Sequence, residues 1–208
     1  MECHKCINNC AKGKKGKENG FLRLLNKKQA SRNVKLQAIP QIALVGTPNV
    51  GKSVLFNALT GTYVTVSNYP GTTVEVSRGE TRIDDRIFKV VDTPGMYSLL
   101  PITEEEKVAR DLLLSEPVDL VIHVMDAKNL GRMLPLTFQL IEADLPVLLA
   151  VNMMDEAGQL GIEINREHLE KELSIPVVTM AAAMNIGINA LKERISAYVK
   201  STCLSPTY

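Results

Sequence analysis

Residues 46–53 read Gly46-Thr47-Pro48-Asn49-Val50-Gly51-Lys52-Ser53 and fill every fixed position of the phosphate-binding pattern G-x-x-x-x-G-K-[ST]. The run Gln41–Val45 before it predicts a short buried strand, and residues 54–59 after it predict the start of a helix. In this setting the two glycines let backbone N–H groups turn towards phosphate oxygens, and the helix N-terminus adds partial positive charge. We expect Lys52 to reach the β- and γ-phosphates of a nucleotide and the Ser53 hydroxyl to hold Mg²⁺.

The composition is that of a globular α/β domain with a basic extension. The 208 residues are 45% hydrophobic, which is enough for one domain with its own core. Residues 1–38 contain ten Lys and Arg against two Glu, which leaves 14 basic and 21 acidic residues in the rest. No apolar run reaches the roughly 20 residues of a membrane helix, and the N-terminus is too polar for a signal peptide. We expect a soluble, intracellular chain with a flexible basic arm over 1–38, a globular domain over 39–200 and a tail over 201–208.

The arm carries Cys3, Cys6 and Cys10, with His4 beside the first of them. This spacing is compatible with a zinc or iron site, although adjacent residues such as Cys3 and His4 rarely bind one ion together. The sequence therefore leaves two alternatives open, a metal site and a flexible tail with reduced thiols. The basic charge likewise leaves open an RNA or anionic-membrane contact beside a solvated tail.

Strands and helices alternate through the rest of the chain, which predicts a mainly parallel sheet with helices on both faces. No helix separates the strands at 74–77 and 86–91, so we expect this hairpin to form the antiparallel edge, with 74–77 outermost. Residues 62–72 before it are interpreted as polar and turn-rich. The six predicted strands are 41–45, 74–77, 86–91, 118–125, 146–151 and 176–180. Helices are predicted after Gly51, after Thr103, and over 130–143, 167–173 and 188–200.

Two further motifs follow predicted strands. Asp92-Thr93-Pro94-Gly95 is D-x-x-G, in which Asp92 is expected to bind Mg²⁺ through water and the Gly95 N–H to meet the γ-phosphate. Asn152-Met153-Met154-Asp155 is N-x-x-D, in which the Asp155 carboxylate can accept two N–H bonds from guanine. Adenine cannot supply both donors and is rejected. The three motifs in this order, each at a strand end, predict a GTP-binding protein with the P-loop GTPase (Ras-like) fold.

Through these motifs the chain resembles the cytosolic G domain of the FeoB ferrous-iron transporters over residues 40–200. Residues 66–75, Val-Ser-Asn-Tyr-Pro-Gly-Thr-Thr-Val-Glu, are similar to that family's first switch, and residues 92–99 to its second. Ala181-Ala182-Ala183 align with its base-binding S-A-x loop, with Ala181 in place of Ser. The resemblance implies nucleotide contacts from residues 46–53, Gly71, Thr72, Thr73, Val74, Glu75, Asp92, Thr93, Pro94, Gly95, Asn152, Met153, Met154, Asp155, Ala181, Ala182 and Ala183.

The resemblance also implies the reaction and its cofactors. The implied cofactors are GTP or GDP, Mg²⁺ and K⁺. Mg²⁺ is expected to be held by Ser53, by Thr73 and, through water, by Asp92, and K⁺ is expected to be held partly by Asn49. The residues expected to act in hydrolysis are Asn49, Lys52, Thr73 and Gly95. Met96 stands where Ras-like enzymes place a water-orienting Gln, so intrinsic hydrolysis is expected to be slow. No arginine is placed to act in cis, because Arg78 and Arg82 lie beyond the first switch.

The implied setting is the cytoplasmic face of the cell membrane. FeoB proteins continue into a helical regulatory domain and a membrane permease, which are the expected partners together with GTP. A homo-oligomer remains open, and no nucleic acid is expected. The alternative is a soluble, K⁺-dependent GTPase acting in ribosome or tRNA maturation, although such proteins usually keep the Lys of N-K-x-D. A second alternative is a non-enzymatic metal-sensing module centred on the cysteines.

Overall fold

Seven strands in one sheet form the frame of the part of the chain that the structure describes. The computed structural model describes residues 39–61 and 64–204, with side chains up to residue 199. The predicted arm with Cys3, Cys6 and Cys10 lies outside these residues, so its metal site stays a prediction. The strands are β1 Gln41–Val45, β2 Val64–Asn68, β3 Glu75–Ile83, β4 Arg86–Asp92, β5 Leu120–Asp126, β6 Val147–Asn152 and β7 Val177–Thr179.

The sheet order is β2-β3-β4-β1-β5-β6-β7. β4, β1, β5, β6 and β7 pair in parallel, while β3 pairs antiparallel with both β2 and β4. The predicted mainly parallel sheet with an antiparallel hairpin at one edge is therefore confirmed. The number of strands is seven rather than six, because β2 lies outside β3. Its sequence Val-Thr-Val-Ser-Asn contains β-branched residues that favour a strand, but all five are exposed and lack the apolar signal of a buried one.

Six α-helices accompany these strands in the described residues. They are α1 Lys52–Thr60, α2 Glu104–Ser115, α3 Leu130–Glu142, α4 Met154–Gln159, α5 Arg166–Leu173 and α6 Ile188–Leu204. The predicted start of α2 is confirmed: Thr103 is its N-cap, and Glu106 completes a capping box. α3 continues through Pro135, as predicted. α4 was not predicted, because its six residues overlap the N-x-x-D motif. None of the helices in residues 39–61 and 64–204 is both long and apolar enough to cross a membrane.

The central strand β1 packs against helices on both faces. Ile42 and Leu44 lie in a buried cluster with Leu55 of α1 and Leu191 of α6. Ala43 and Val45 lie in a second buried cluster, which includes residues Leu112 and Leu136 of α2 and α3. Because successive strand residues point to opposite faces, residues 42–45 bury apolar side chains on both faces of the sheet. The core therefore fixes β1, and with it the start of the loop that follows Val45.

Candidate functional site

The three predicted motifs begin where neighbouring parallel strands end. Leu44 of β1 pairs with Asp92, the last residue of β4, and Asp126 of β5 pairs with Asn152, the last residue of β6. Ligands bind at this edge of parallel α/β sheets, where loops and helix N-termini converge. The sheet register thus places the phosphate loop, D-x-x-G and N-x-x-D at one edge of the molecule.

The phosphate loop folds tightly against N-x-x-D. Gly51, at the N-cap of α1, has φ +86°, and a Cβ atom there would lie 2.4 Å from Nδ2 of Asn152. Only glycine fits this position. Lys52 is 8% exposed, and its ammonium donates to the carbonyl oxygen of Thr47 at 3.3 Å. The lysine therefore lies folded back along the loop, with its charge held where phosphates are expected.

Ser53 and Asp92 form the oxygen pair expected of a magnesium site. The Ser53 hydroxyl donates to Oδ2 of Asp92 at 2.7 Å, while Oδ1 of Asp92 is buried and has no hydrogen-bond partner among the described residues. Burial raises the pKa of the Asp92 carboxyl, and the Ser53 hydrogen bond and the Lys52 charge act against this shift. Burial lowers the pKa of Lys52, and Asp92 acts against that shift. A hydroxyl and a carboxylate with a free oxygen fit Mg²⁺, which prefers oxygen ligands.

The residues after Asp92 are tied to the phosphate loop. The Thr93 hydroxyl donates to the carbonyl oxygen of Leu44 at 2.8 Å, and the Met96 N–H donates to that of Gly46 at 3.1 Å. A Cβ atom on Gly95 would lie 2.7 Å from Cγ of Pro48, so only glycine allows this approach. The Met96 side chain is fully buried in the core. It therefore points away from the position where a water-orienting side chain would act.

Residues 97–103, which include the end of the second switch, are held by two side chains. The Glu106 carboxylate accepts hydrogen bonds from the N–H groups of Tyr97, Ile102 and Thr103 at 3.1, 2.8 and 3.3 Å. These bonds lower the pKa of Glu106, and the bond from the Ile102 N–H contributes most. Gln139 of α3 accepts through Oε1 from the Ser98 hydroxyl at 3.1 Å and the Leu99 N–H at 2.7 Å. The sequence predicted a helix after Thr103 but not this role of Glu106, and no sequence pattern predicted Gln139.

The first switch turns between β2 and β3. The Tyr69 N–H donates to the carbonyl oxygen of Val74 at 2.8 Å, and the Thr72 N–H and hydroxyl both donate to that of Tyr69 at 3.0 Å. Gly71, Thr73 and Glu75 are exposed. Within the described residues, no hydrogen bond joins Thr73 to Ser53 or Asp92. The structure therefore brings two of the three predicted magnesium ligands together and leaves Thr73 apart from them.

Asn152 joins the third motif to both neighbouring loops. Its Nδ2 donates to the carbonyl oxygen of Val50 at 3.0 Å, and its Oδ1 accepts from the N–H of Ala182 at 2.9 Å. Ala181 and Ala182 are buried and Ala183 is exposed. The Asn152 side chain, which is only 3% exposed, thus joins the N-x-x-D motif to residues 181–183, which are also predicted to contact the base.

Met153 and Met154 turn the chain from β6 into α4. Met153 has φ +62°, and the Met154 N–H donates to the carbonyl oxygen of Met180 at 3.1 Å. Asp155 follows in the first turn of α4 and is partly exposed. Its carboxylate is therefore available to a base lying beside residues 181–183.

Comparison with known proteins agrees with this geometry. The family model described as ferrous iron transport protein B matches residues 40–195. The chain belongs to the FeoB family. The Fe(2+) transporter FeoB of Legionella pneumophila (strain Paris) is 42% identical over 156 residues, which are 73% of this chain. That stretch is 21% of the relative, so the chain spans about a fifth of the length of the curated FeoB proteins it matches.

Solved FeoB structures share the fold. The FeoB G domain of Methanococcus jannaschii is 46% identical, with a TM-score of 0.70 over 79% of this chain and 99% of that one. The cytosolic domain of T. maritima FeoB in GDP form I is 42% identical, with a TM-score of 0.75 over 78% and 64%. Its GMPPNP form is 41% identical, with a TM-score of 0.73 over the same shares. The predicted P-loop GTPase fold is confirmed, and FeoB membership favours the transporter interpretation over ribosome or tRNA maturation and over a metal-sensing module.

Proposed function

We propose that this chain is the GTP-binding and slowly GTP-hydrolysing domain of a ferrous-iron transporter, and that K⁺ stimulates its hydrolysis. The observation that carries the proposal is the Ser53–Asp92 pair beside the buried Lys52, since an ammonium and a half-satisfied carboxylate fit a magnesium–nucleotide complex. The GDP and GMPPNP forms of the related T. maritima domain support a guanine nucleotide as the ligand. Iron would be the cargo of the whole transporter.

Each motif has a defined task in this proposal. Lys52 and the N–H groups of residues 46–53 bind the phosphates, and Ser53 and Asp92 hold Mg²⁺, which would neutralise phosphate charge when bound. Asp155 accepts the two guanine N–H groups, and the backbone of residues 181–183 borders the base. Thr73 is exposed in this structure, so its predicted role requires the first switch to move towards Ser53.

Slow hydrolysis and K⁺ stimulation have a common origin. The Met96 side chain is buried and cannot orient water, and Arg78 is held by both oxygens of Glu116 at 2.9 and 2.6 Å. Neither residue can therefore offset charge that develops between the β- and γ-phosphates. Asn49 is exposed in the phosphate loop, and its amide oxygen is suited to hold a monovalent cation against that charge. The smaller Na⁺ fits a cage of carbonyl oxygens less well.

The proposed setting is the cytoplasmic face of a membrane, next to a helical regulatory domain and a permease. The lengths of the related proteins support this setting. About four fifths of each curated FeoB protein lies outside the part that this chain matches, which leaves room for both further domains.

The decisive experiment compares GTPase rates in K⁺ and in Na⁺ at equal ionic strength. Asn49 has φ +65°, so an alanine there would add backbone strain, and Asn49→Gly is the better variant because glycine accepts this conformation. We expect faster hydrolysis by the wild type in K⁺, and loss of most of that acceleration in Asn49→Gly. GTP affinity should remain nearly unchanged because the N–H groups and Lys52 remain. Equal rates in both salts, or an Asn49→Gly variant that keeps the K⁺ response, would contradict the cation mechanism.

A further inference from the structure

Lys128 lies beside three carboxylates at the rim of the proposed guanine site. Its ammonium pairs with Oε2 of Glu156 and lies 3.9 Å from Oδ2 of Asp126. The Glu156 hydrogen bond, with smaller contributions from Asp126, Glu156 and Asp155, raises the pKa of Lys128. The three carboxylates come from two elements, since Asp126 ends β5 while Asp155 and Glu156 lie in α4. One cation therefore joins the end of a core strand to the helix that carries Asp155.

The turn that carries Lys128 is firmly held. Oδ1 of Asp126 accepts from the N–H of Lys128, and Oδ2 accepts from Nδ2 of Asn129, each at 2.9 Å. The Asp126 N–H donates to Sδ of Met133 at 3.3 Å, and Asp126 is only 8% exposed. The lysine side chain thus starts from a fixed backbone at the end of a fully buried strand.

The helix on the other side of this ion pair is short and depends on tertiary contacts for its position. α4 spans six residues, and its N-cap Met153 makes no side-chain capping bond. Short helices depend on tertiary contacts, because propagation adds too few bonds to offset the cost of nucleation. Glu156 directly follows Asp155, so any force that holds Glu156 also restrains the backbone of Asp155.

We propose that Lys128 is a positioning residue for guanine recognition: by pairing with Glu156 it holds the first turn of α4 so that the Asp155 carboxylate faces the base. This inference rests on the proposed function. Lys128 does not touch the nucleotide in this role, and it acts through Glu156 and Asp155.

The size of the effect follows from the exposure of the pair. The side chains of Lys128 and Glu156 are 24% and 50% exposed, so solvent screens their attraction. An exposed ion pair of this kind changes an equilibrium by up to about fivefold, and salt weakens it. We expect about a threefold effect on guanine affinity at low salt, and a smaller effect at 1 M salt.

The test measures GDP and IDP affinity by calorimetry on the full chain. Inosine lacks the exocyclic amino group of guanine, so IDP offers Asp155 one N–H donor where GDP offers two. A misplaced Asp155 therefore weakens GDP binding more than IDP binding, whereas a general loss of folding weakens both equally. The variants are Lys128→Met, which keeps most of the length of the side chain without its charge, Glu156→Gln, which removes the partner's charge, and Lys128→Arg, which keeps the ion pair.

We expect Lys128→Met and Glu156→Gln each to lower the GDP-over-IDP preference about threefold at low salt, and Lys128→Arg to preserve it. If the wild type prefers GDP and Lys128→Met keeps that preference unchanged, the proposed role of Lys128 is overturned and the proposed function is not. A wild-type chain that does not prefer GDP overturns the proposed function and this inference together.

Discussion

Asn152 Nδ2 donates to the carbonyl oxygen of Val50 at 3.0 Å, across 102 residues of sequence. The same side chain accepts the N–H of Ala182, so one amide joins the phosphate loop to the loop of residues 181–183. A nucleotide that binds with its phosphates and its base at these two places meets a site whose halves are already linked. Asn152, the first residue of N-x-x-D, therefore has a structural role: its side chain holds the two loops together.

Replacing Asn152 by alanine should weaken both folding and nucleotide binding. Two buried partners, the carbonyl of Val50 and the N–H of Ala182, would lose their hydrogen bonds, which costs about 1–3 kcal/mol each where water cannot replace them. Calorimetry should show at least a tenfold loss of GDP affinity, and denaturant titration a lower free energy of unfolding. Asn152→Asp keeps the acceptor for Ala182 but opposes a carboxylate to the Val50 carbonyl, so it should not restore binding. Wild-type affinity in either variant would contradict this role.

Replacing Asp155 by asparagine should change which base the chain binds. The amide presents an N–H where the carboxylate accepted one, so GTP affinity should fall at least tenfold, about 1.4 kcal/mol. Xanthine carries a carbonyl oxygen where guanine carries its amino group, and XTP should bind the variant better than the wild type does. Binding measurements with GTP and XTP on both proteins check this. Equal GTP binding by wild type and variant would overturn the assignment of the N-x-x-D motif.

Removing the Gln139 amide should loosen the second switch without changing the base site. Gln139→Leu deletes the oxygen that accepts from Ser98 and Leu99, so the Leu99 amide should exchange hydrogen at least tenfold faster. Gln139→Glu retains an acceptor and serves as the matched control, with exchange close to wild type. GDP affinity should change less than twofold in both variants. Unchanged exchange at Leu99 in the leucine variant would show that Gln139 does not hold this segment.

His123 should make the domain less stable in mild acid. Burial lowers its pKa to about 3, and the nearby Lys52 charge acts in the same direction. Below pH 6.5 the unfolded chain takes up a proton at this residue and the folded chain does not, so stability falls as the pH falls from about 6.5 towards 3. Between pH 7.5 and 5.5 this residue should lower the free energy of unfolding by about 1.4 kcal/mol.

The control for this pH effect is His123→Leu, which removes the titrating group from the buried position. Thr137, whose hydroxyl lies 3.0 Å from Nδ1 of His123, keeps its contact with Sδ of Met125 at 3.7 Å. Denaturant titrations at both pH values should give a smaller loss of stability in the variant than in the wild type. Identical losses would show that other groups cause the acid sensitivity.

The sequence was sufficient to predict the site residues that belong to short, continuous motifs. Lys52, Ser53 and Asp92 lie in motifs whose spacing matches the geometry of bound phosphate, so their positions followed from the pattern. β2 was missed because its five exposed residues lie within 62–72, where polar and turn-forming residues predominate. Gln139 and Lys128 were missed for another reason: their partners are 40 and 28 residues away, and such tertiary pairs leave no periodic signal.

The left-handed backbone of Met153 stores free energy at the point where β6 turns into α4. A side chain with a Cβ atom is disfavoured in this conformation by about 1–2 kcal/mol, whereas asparagine and glycine adopt it more readily. The chain therefore gives up part of its thermal stability at the residue that directs Asp155. Met153→Asn should therefore raise the melting temperature of the domain, and thermal unfolding of wild type and variant side by side checks this.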